Sequence, residues 1–300
     1  MTKPKTTLEQ WRILQAVVDY GGYVQAAEKL HRSHSSLNHA VNKLQQQLGV
    51  ELLEVKGRKA VLTPAGQVLL RRSRQLTQDV FALEALADSL NLGWEPEILL
   101  SVESIYPKHY LLPALQTFYL KSRGCRLKIV ENVITGSDEA ITQHKADIVI
   151  CSLVPTGYMS EPLSNVIHFY PVAHPQHRLF QLPQPITEQE LKRELQIVIA
   201  DTATQLQKKT IGWLEAEQRW TVDNFVTAID ILKTGLGFCW VPEHFIQTAL
   251  TQGDLKRLQI RDCSYSQANF YLVLPQPDKI GPATRILAQL LIQHGRSEST

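Results

Sequence analysis

Residues 25–48, QAAEKLHRSHSSLNHAVNKLQQQL, read as two short helices with a tight break between them. Ala26, Ala27 and Leu30 give the first a small apolar face against which a second helix can pack closely. The break falls at residues 31–33, and Ser33 is a good N-cap for the orphan amides of the next turn. Leu37, Val41, Leu44 and Leu48 then recur at helical spacing and define a buried face. The opposite face carries His34, Ser35, Ser36, Asn38, His39 and Asn42. Short hydrogen-bonding side chains with few carboxylates suit base edges and phosphates in a DNA major groove. Taken alone, the pattern fits a helical hairpin with a polar outside equally well.

The flanking sequence favours the first reading. Leu8, Trp11, Ile13, Leu14, Val17 and Val18 form the apolar stripe of a preceding helix that Gly21 and Gly22 end. After Gly49 come two short apolar segments joined by Lys56-Gly57-Arg58-Lys59, which read as a hairpin wing. Lys56, Arg58 and Lys59 at its tip are placed for backbone phosphates; a solvated loop is the plainer alternative. Thr63 caps the next helix and Pro64 opens it. In that helix Leu69, Leu76, Leu83 and Leu90 stand seven residues apart, with Val80 and Ala87 between them. This narrow seam, about three heptads long, predicts a coiled-coil-like partner, most simply a second copy of the chain.

Charge divides the chain the same way. Residues 1–74 hold twelve Lys and Arg against five Asp and Glu, a balance of +7, which leaves −5 for the rest of a chain whose total is +2. A basic head on an acidic body points to a polyanion partner for the head alone. The N-terminal residues are unlike a secretory leader, and no apolar run is long enough to span a bilayer. The expectation is a cytoplasmic protein without membrane partners. Cys125, Cys151, Cys239 and Cys263 lack metal-type spacing, and Cys151 and Cys239 sit in apolar runs as buried free thiols do.

Beyond Pro96 strands alternate with helices: strands near 98–102, 127–133, 147–151, 166–173, 196–200 and 269–274, with helices at 107–119, 137–144, 187–195, 222–233 and 282–293. That alternation predicts a parallel-rich α/β sheet.

The head resembles the N-terminal winged helix-turn-helix of LysR-type transcriptional regulators. The matching residues are Ala26-Ala27, Leu30, Ser33-His34-Ser35-Ser36-Leu37, Leu44, Leu48-Gly49, Leu52 and Leu62-Thr63-Pro64-Ala65-Gly66. Length and the leucine-seam helix agree, so the resemblance covers the whole chain, and residues 235–242, GLGFCWVP, resemble a strand of the family's effector domain. Asn38 stands where Ser is usual, Ser35 where Pro is common, Gln45 where Glu is usual, and Leu53 and Val55 replace Phe and Arg. The resemblance implies a mixed fold: an all-α winged helix-turn-helix at 1–66, a linker and dimerisation helix at 67–91, and a periplasmic-binding-protein-like α/β effector domain at 92–300. Its subdomain I is expected near 96–165 and 266–295, and subdomain II near 166–265. Homodimers paired into tetramers, double-stranded operator DNA, RNA polymerase and a small-molecule effector are the implied partners.

In such a domain the cleft is lined by loops at the carboxyl ends of strands. The candidates there are Ser104, Ile105, Tyr106, Ser137, Ser152, Thr202, Thr204 and Phe225. The family's effector residues carry over onto Ser104, Tyr106, Ser137, Ser152 and Thr202 by position. Each hydroxyl alone is an ordinary helix cap; as a set they read as a site for an organic acid or similar anion. Because no Lys or Arg falls in these loops, a neutral effector is the alternative.

Enzymatic readings find little support. There is no phosphate-binding glycine loop, no nucleophile elbow and no nucleotide fingerprint, so no cofactor is expected. His174 and His177 lack a third ligand nearby. A solute-binding protein without a DNA role, and a cysteine-based redox-sensing regulator, are the competing readings.

Overall fold

The computed structural model describes residues 3–56, 59–209, 214–261 and 266–296. By its internal contacts the chain divides into two units, Met1–Asn91 and Leu92–Thr300.

In the first unit, helix α1 spans Leu8–Asp19 and opens with a reciprocal Thr7–Gln10 capping box. Helices α2 (Tyr23–Leu30) and α3 (His34–Leu48) follow, the second capped by the Ser33 hydroxyl, which accepts from the Ser36 amide. Leu14, Ala26, Leu37, Val41, Leu44 and Leu52 are wholly buried among these helices. Truncating Leu37 to Ala removes roughly 2–5 kcal/mol from such a core. Strands β1 (Leu53–Lys56) and β2 (Lys59–Leu62) pair antiparallel with Lys56 opposite Lys59, so a hairpin stands beside α3 in sequence. Gln45 holds the approach to it: its Oε1 accepts from the amides of Leu52 and Leu53 at 2.7 and 3.0 Å. The glutamine keeps the acceptor position that a glutamate would fill, without the charge.

Helix α4 runs from Pro64 to Asn91, with Thr63 Oγ1 accepting from the Gly66 amide at its start. Gly66 is required there by close approach, since a Cβ would lie 2.1 Å from the Leu52 carbonyl oxygen. Gln15 of α1 ties α4 down by donating to Ser73 and Thr77 at 3.1 and 2.9 Å.

The second unit is built on a sheet of nine described strands. In chain order it holds β3 (Glu97–Glu103), α5 (Lys108–Lys121), β4 (Arg126–Asn132), α6 (Thr135–Thr142), β5 (Ile148–Cys151) and β6 (Ser160–Ala173). There follow α7 (Glu188–Lys192), β7 (Leu195–Ile199), β8 (Gln218–Val222), α8 (Phe225–Lys233), β9 (Phe238–Pro242), α9 (Glu243–Gln252), β10 (Lys256–Arg257), β11 (Ser266–Val273) and α10 (Pro282–Arg296). Strand order is β4-β3-β5-β11-β6-β9-β7-β8, with β10 on β6. Parallel pairing joins β3 to β4 and β5, and β7 to β8 and β9.

Strands β6 and β11 serve both halves of this sheet. Residues 160–163 of β6 pair with residues 270–273 of β11, which also meets β5; beyond a bulge at Asn269/Phe270 the pairing shifts, and residues 169–173 of β6 carry β9. Two α/β halves thus hang from one antiparallel ribbon.

Several boundaries differ from those read in the sequence. Helix α6 starts at Thr135 rather than Ser137, α7 stops at Lys192, and α8 starts at Phe225 because Asn224 caps it and Val222 belongs to β8. Strand β8 went unrecognised because it is an edge strand, bonded to β7 alone and almost wholly exposed, so it carries no apolar alternation. Helix α9 buries only Ile246 and Ala249, too few for a visible stripe.

Candidate functional site

On α3 the sequence brings one polar face to the surface. Ser33, His34, Ser35, Ser36, His39 and Asn42 are exposed and Asn38 is half-buried, while Leu37, Val41 and Leu44 anchor the reverse face. The Asn42 side-chain amide donates to Asn38 Oδ1 at 2.6 Å, the Ser33 and Ser35 hydroxyls lie 3.2 Å apart, and the His34 ring meets Tyr23 edge-on. These interactions restrict rotamers without using every donor. Lys43, exposed on the same helix, makes no ion pair among the described residues, whereas Arg32 is bound to Glu9 at 2.8 Å and Arg74 to Asp19. At the wing, Arg58 and the side chains of Lys56 and Lys59 lie outside the described residues.

Leu69 of the α4 seam packs against the core of the head, whereas Leu76, Leu83 and Leu90 are uncovered, at 49%, 66% and 44% exposed.

In the second unit a cavity of about 640 Å³ opens between the two halves of the sheet. Ser104, Ile105, Ser137, Ser152 and Phe225 line it. The other three expected residues do not. Tyr106 turns into the core, 3% exposed, with its ring edge-on to Phe270. Thr202 and Thr204, after β7, reach across to the opposite half instead. Thr202 Oγ1 accepts from the Val133 amide at 2.9 Å, and Gly136 is obligatory beneath it because a Cβ would lie 2.0 Å from that oxygen. Thr204 donates its amide and hydroxyl to Glu139 on α6.

Asp201 strengthens this clasp, accepting from the amides of Thr135, Ala203 and Lys209 at 3.3, 2.9 and 2.9 Å. Burial works against its charge, yet the Thr135 side chain, followed by those amides, prevails and holds its carboxyl below its usual range.

Sequence reasoning missed Glu103, Gln196, Trp240 and Tyr271, all on the cavity wall. Glu103 ends the apolar strand ILLSVE, and a carboxylate closing a buried strand was the available signal. It is 5% exposed, with Oε2 accepting from the Ser152 amide at 2.5 Å and Oε1 from the Ser152 hydroxyl at 2.9 Å. Burial pushes its carboxyl up to about 7, outweighing the two bonds from Ser152. Gln196 is buried and accepts from the Leu214 amide at 3.0 Å.

The remaining candidates are structural. His177 Nδ1 accepts from the Leu179 amide and His174 Nδ1 from the Gln176 amide, each closing a turn. Among the described residues no group of three or more His, Cys, Asp or Glu side chains is placed to hold a metal ion. Burial pushes the Cys125 thiol up to about 11 and that of Cys239 to about 12, and raises Cys151 further, so all three stay protonated at neutral pH. Cys263 lies outside the described residues.

Comparison with known proteins accords with this architecture. The model for the bacterial regulatory helix-turn-helix protein, lysR family, matches residues 8–67, and that for the LysR substrate binding domain matches residues 92–296. An uncharacterised HTH-type transcriptional regulator of Escherichia coli, YeeY, is 31% identical, over 84% of this chain and 82% of its own. The probable HTH-type transcriptional regulator YhaJ of the same organism is 30% identical over 83% and 85%. The full-length structure of the Vibrio cholerae virulence activator AphB, a member of the LTTR family, superposes with a TM-score of 0.50 at 18% identity, over 96% of this chain and 99% of that one. A winged helix-turn-helix followed by a cleft-bearing α/β unit is the build of a ligand-responsive regulator. The chain belongs to the LysR family of DNA-binding transcriptional regulators with an effector-binding domain.

Proposed function

We propose that α3 reads base edges through Ser35, Ser36, Asn38, His39 and Asn42, while Lys56, Arg58 and Lys59 of the hairpin neutralise phosphates beside it. Two copies join along the exposed α4 seam, presenting paired heads to a two-fold site, and such dimers pair again. The cavity between the halves of the second unit takes a small-molecule effector, whose binding shifts an equilibrium between assemblies. RNA polymerase is the downstream partner of this reading and the cytoplasm its compartment; among the described residues no helix is long and apolar enough to cross a membrane. The family consists of regulators rather than enzymes, and the cleft serves recognition, not turnover.

The observation that carries the reading is the exposed polar face of α3, held by a wholly buried Leu37, Val41 and Leu44. Of the two effector classes read from the sequence, an organic anion and a neutral molecule, the cavity wall favours the second. Among the described residues no Lys or Arg lines it, and Glu103 does. The test is footprinting of the full-length protein on genomic fragments. Protection of two half-sites is expected, and it should vanish when Ser35, Ser36, Asn38 and His39 are all replaced by Ala. Unaltered protection by that variant refutes the assignment of α3.

A further inference from the structure

The chemistry of the effector is written in the wall of the cavity, provided the cleft is the effector site as proposed above. Glu103 stands in that wall with both known hydrogen bonds coming from a single residue, Ser152. A carboxylate offers about four lone-pair sites, so acceptor capacity is left over. In the lining of the same cavity, the Oγ atoms of Ser104 and Ser137 are buried without a hydrogen-bond partner among the described residues, and Ser137 is only 1% exposed. Buried hydroxyls left unsatisfied are costly, and both residues face the cavity, where a polar ligand group can engage them. The local field is negative: Asp138 acts on Glu103, and among the described residues no cationic side chain lines the wall. Phe169, Phe225, Trp240 and Tyr271 supply aromatic surface for the rest of a ligand.

We propose that Glu103 is the specificity-determining residue of the cleft, selecting a non-anionic effector with an aromatic or apolar body and an amine or hydroxyl head. The head donates to the Glu103 carboxylate, and the hydroxyls of Ser104 and Ser137 flank it. A charge-assisted bond of this kind is shorter and stronger than a neutral one. Above about pH 7, where Glu103 is ionised, a ligand carboxylate at the same place sets like charge against it and loses affinity.

Three probes that share one body isolate the head group: 2-phenylethylamine, 2-phenylethanol and 3-phenylpropionate, titrated calorimetrically into the full-length protein at about pH 8, where Glu103 is ionised. The amine and the alcohol should bind, each at least about tenfold tighter than the carboxylate. In Glu103→Gln, which keeps an acceptor for Ser152, the amine's advantage should fall to less than about threefold. Thermal melting verifies that this variant is folded, and Ser137→Ala, a smaller change, should weaken the amine and alcohol while leaving the weaker carboxylate unaffected. Tightest binding by 3-phenylpropionate overturns the proposal, as does an amine preference untouched in Glu103→Gln, or no binding of amine or alcohol at millimolar concentration. Phe225→Ala separates this result from the fate of the cleft itself. A carboxylate that no longer binds that variant leaves the cleft as the effector site and removes only the role of Glu103. Probe binding indifferent to Phe225→Ala moves the effector site elsewhere.

Discussion

Glu139 and Thr204 clasp the two halves of the effector unit across the cleft. The Thr204 amide and hydroxyl donate to the Glu139 carboxylate at 2.8 and 2.7 Å, and the amides of Gln205 and Leu206 donate at 2.8 and 3.2 Å. Lys145 holds the same carboxylate from its own half. That ammonium, followed by the amide and hydroxyl donors, keeps the Glu139 carboxyl far below its usual range. A depressed carboxyl contributes stability above its unfolded value, 4.5, and loses it as pH falls through the folded value. The melting temperature of the wild type should therefore fall more steeply below about pH 4.5 than that of Glu139→Gln. Parallel acid profiles for the two proteins remove Glu139 from the clasp.

Glu103 has the opposite sign. Its carboxyl is raised from 4.5 to about 7, so between those values the folded protein holds a proton that the unfolded chain has released. The contribution of Glu103 to stability is fully present below pH 4.5 and declines as pH rises toward 7, by on the order of 3 kcal/mol for a shift of that size. Glu103→Gln should flatten this part of the profile. Chemical denaturation at several pH values measures it, and an unchanged slope in the variant contradicts the burial argument.

The recognition helix and the wing should respond differently to substitution. Replacing Ser36 or Asn38 by Ala should alter sequence preference, at roughly 1–3 kcal/mol for each base edge no longer bonded. Removing Lys56, Arg58 or Lys59 should weaken binding to every sequence and lower the salt slope by about one for each phosphate no longer neutralised. Fluorescence anisotropy across a salt series distinguishes the two. A slope that survives removal of all three charges means the wing does not touch DNA.

Leu76 and Leu83 both stand about half or more exposed on α4, at 49% and 66%. Glu in place of both should prevent pairing of the heads, because two carboxylates then face the seam of a second copy. Sedimentation velocity should show a monomer, with tight binding to a two-fold site abolished. A variant that sediments as the wild type does would place the pairing surface elsewhere.

What the sequence determined unaided is the head. Capping residues, apolar spacing and turn chemistry are local, so Leu8–Asp19, the break after Leu30, Ser33 as a cap and the long helix after Thr63 could all be read from neighbours a few residues apart. The alternation of elements in the second unit was legible for the same reason, and β8 was not, because an exposed edge strand has no buried face to print a pattern. Tertiary structure alone decided the cleft. Ser104 follows β3, Ser137 lies in the first turn of α6 and Ser152 follows β5, and the three converge on one cavity, whereas Tyr106, two residues from Ser104, rotates into the core. Thr202 and Thr204 face the opposite half rather than the cavity because their partners, Val133 and Glu139, lie more than sixty residues away in sequence. The charge of Glu103 acquires its meaning only from burial, which depends on how β3 is enclosed and not on the residues beside it.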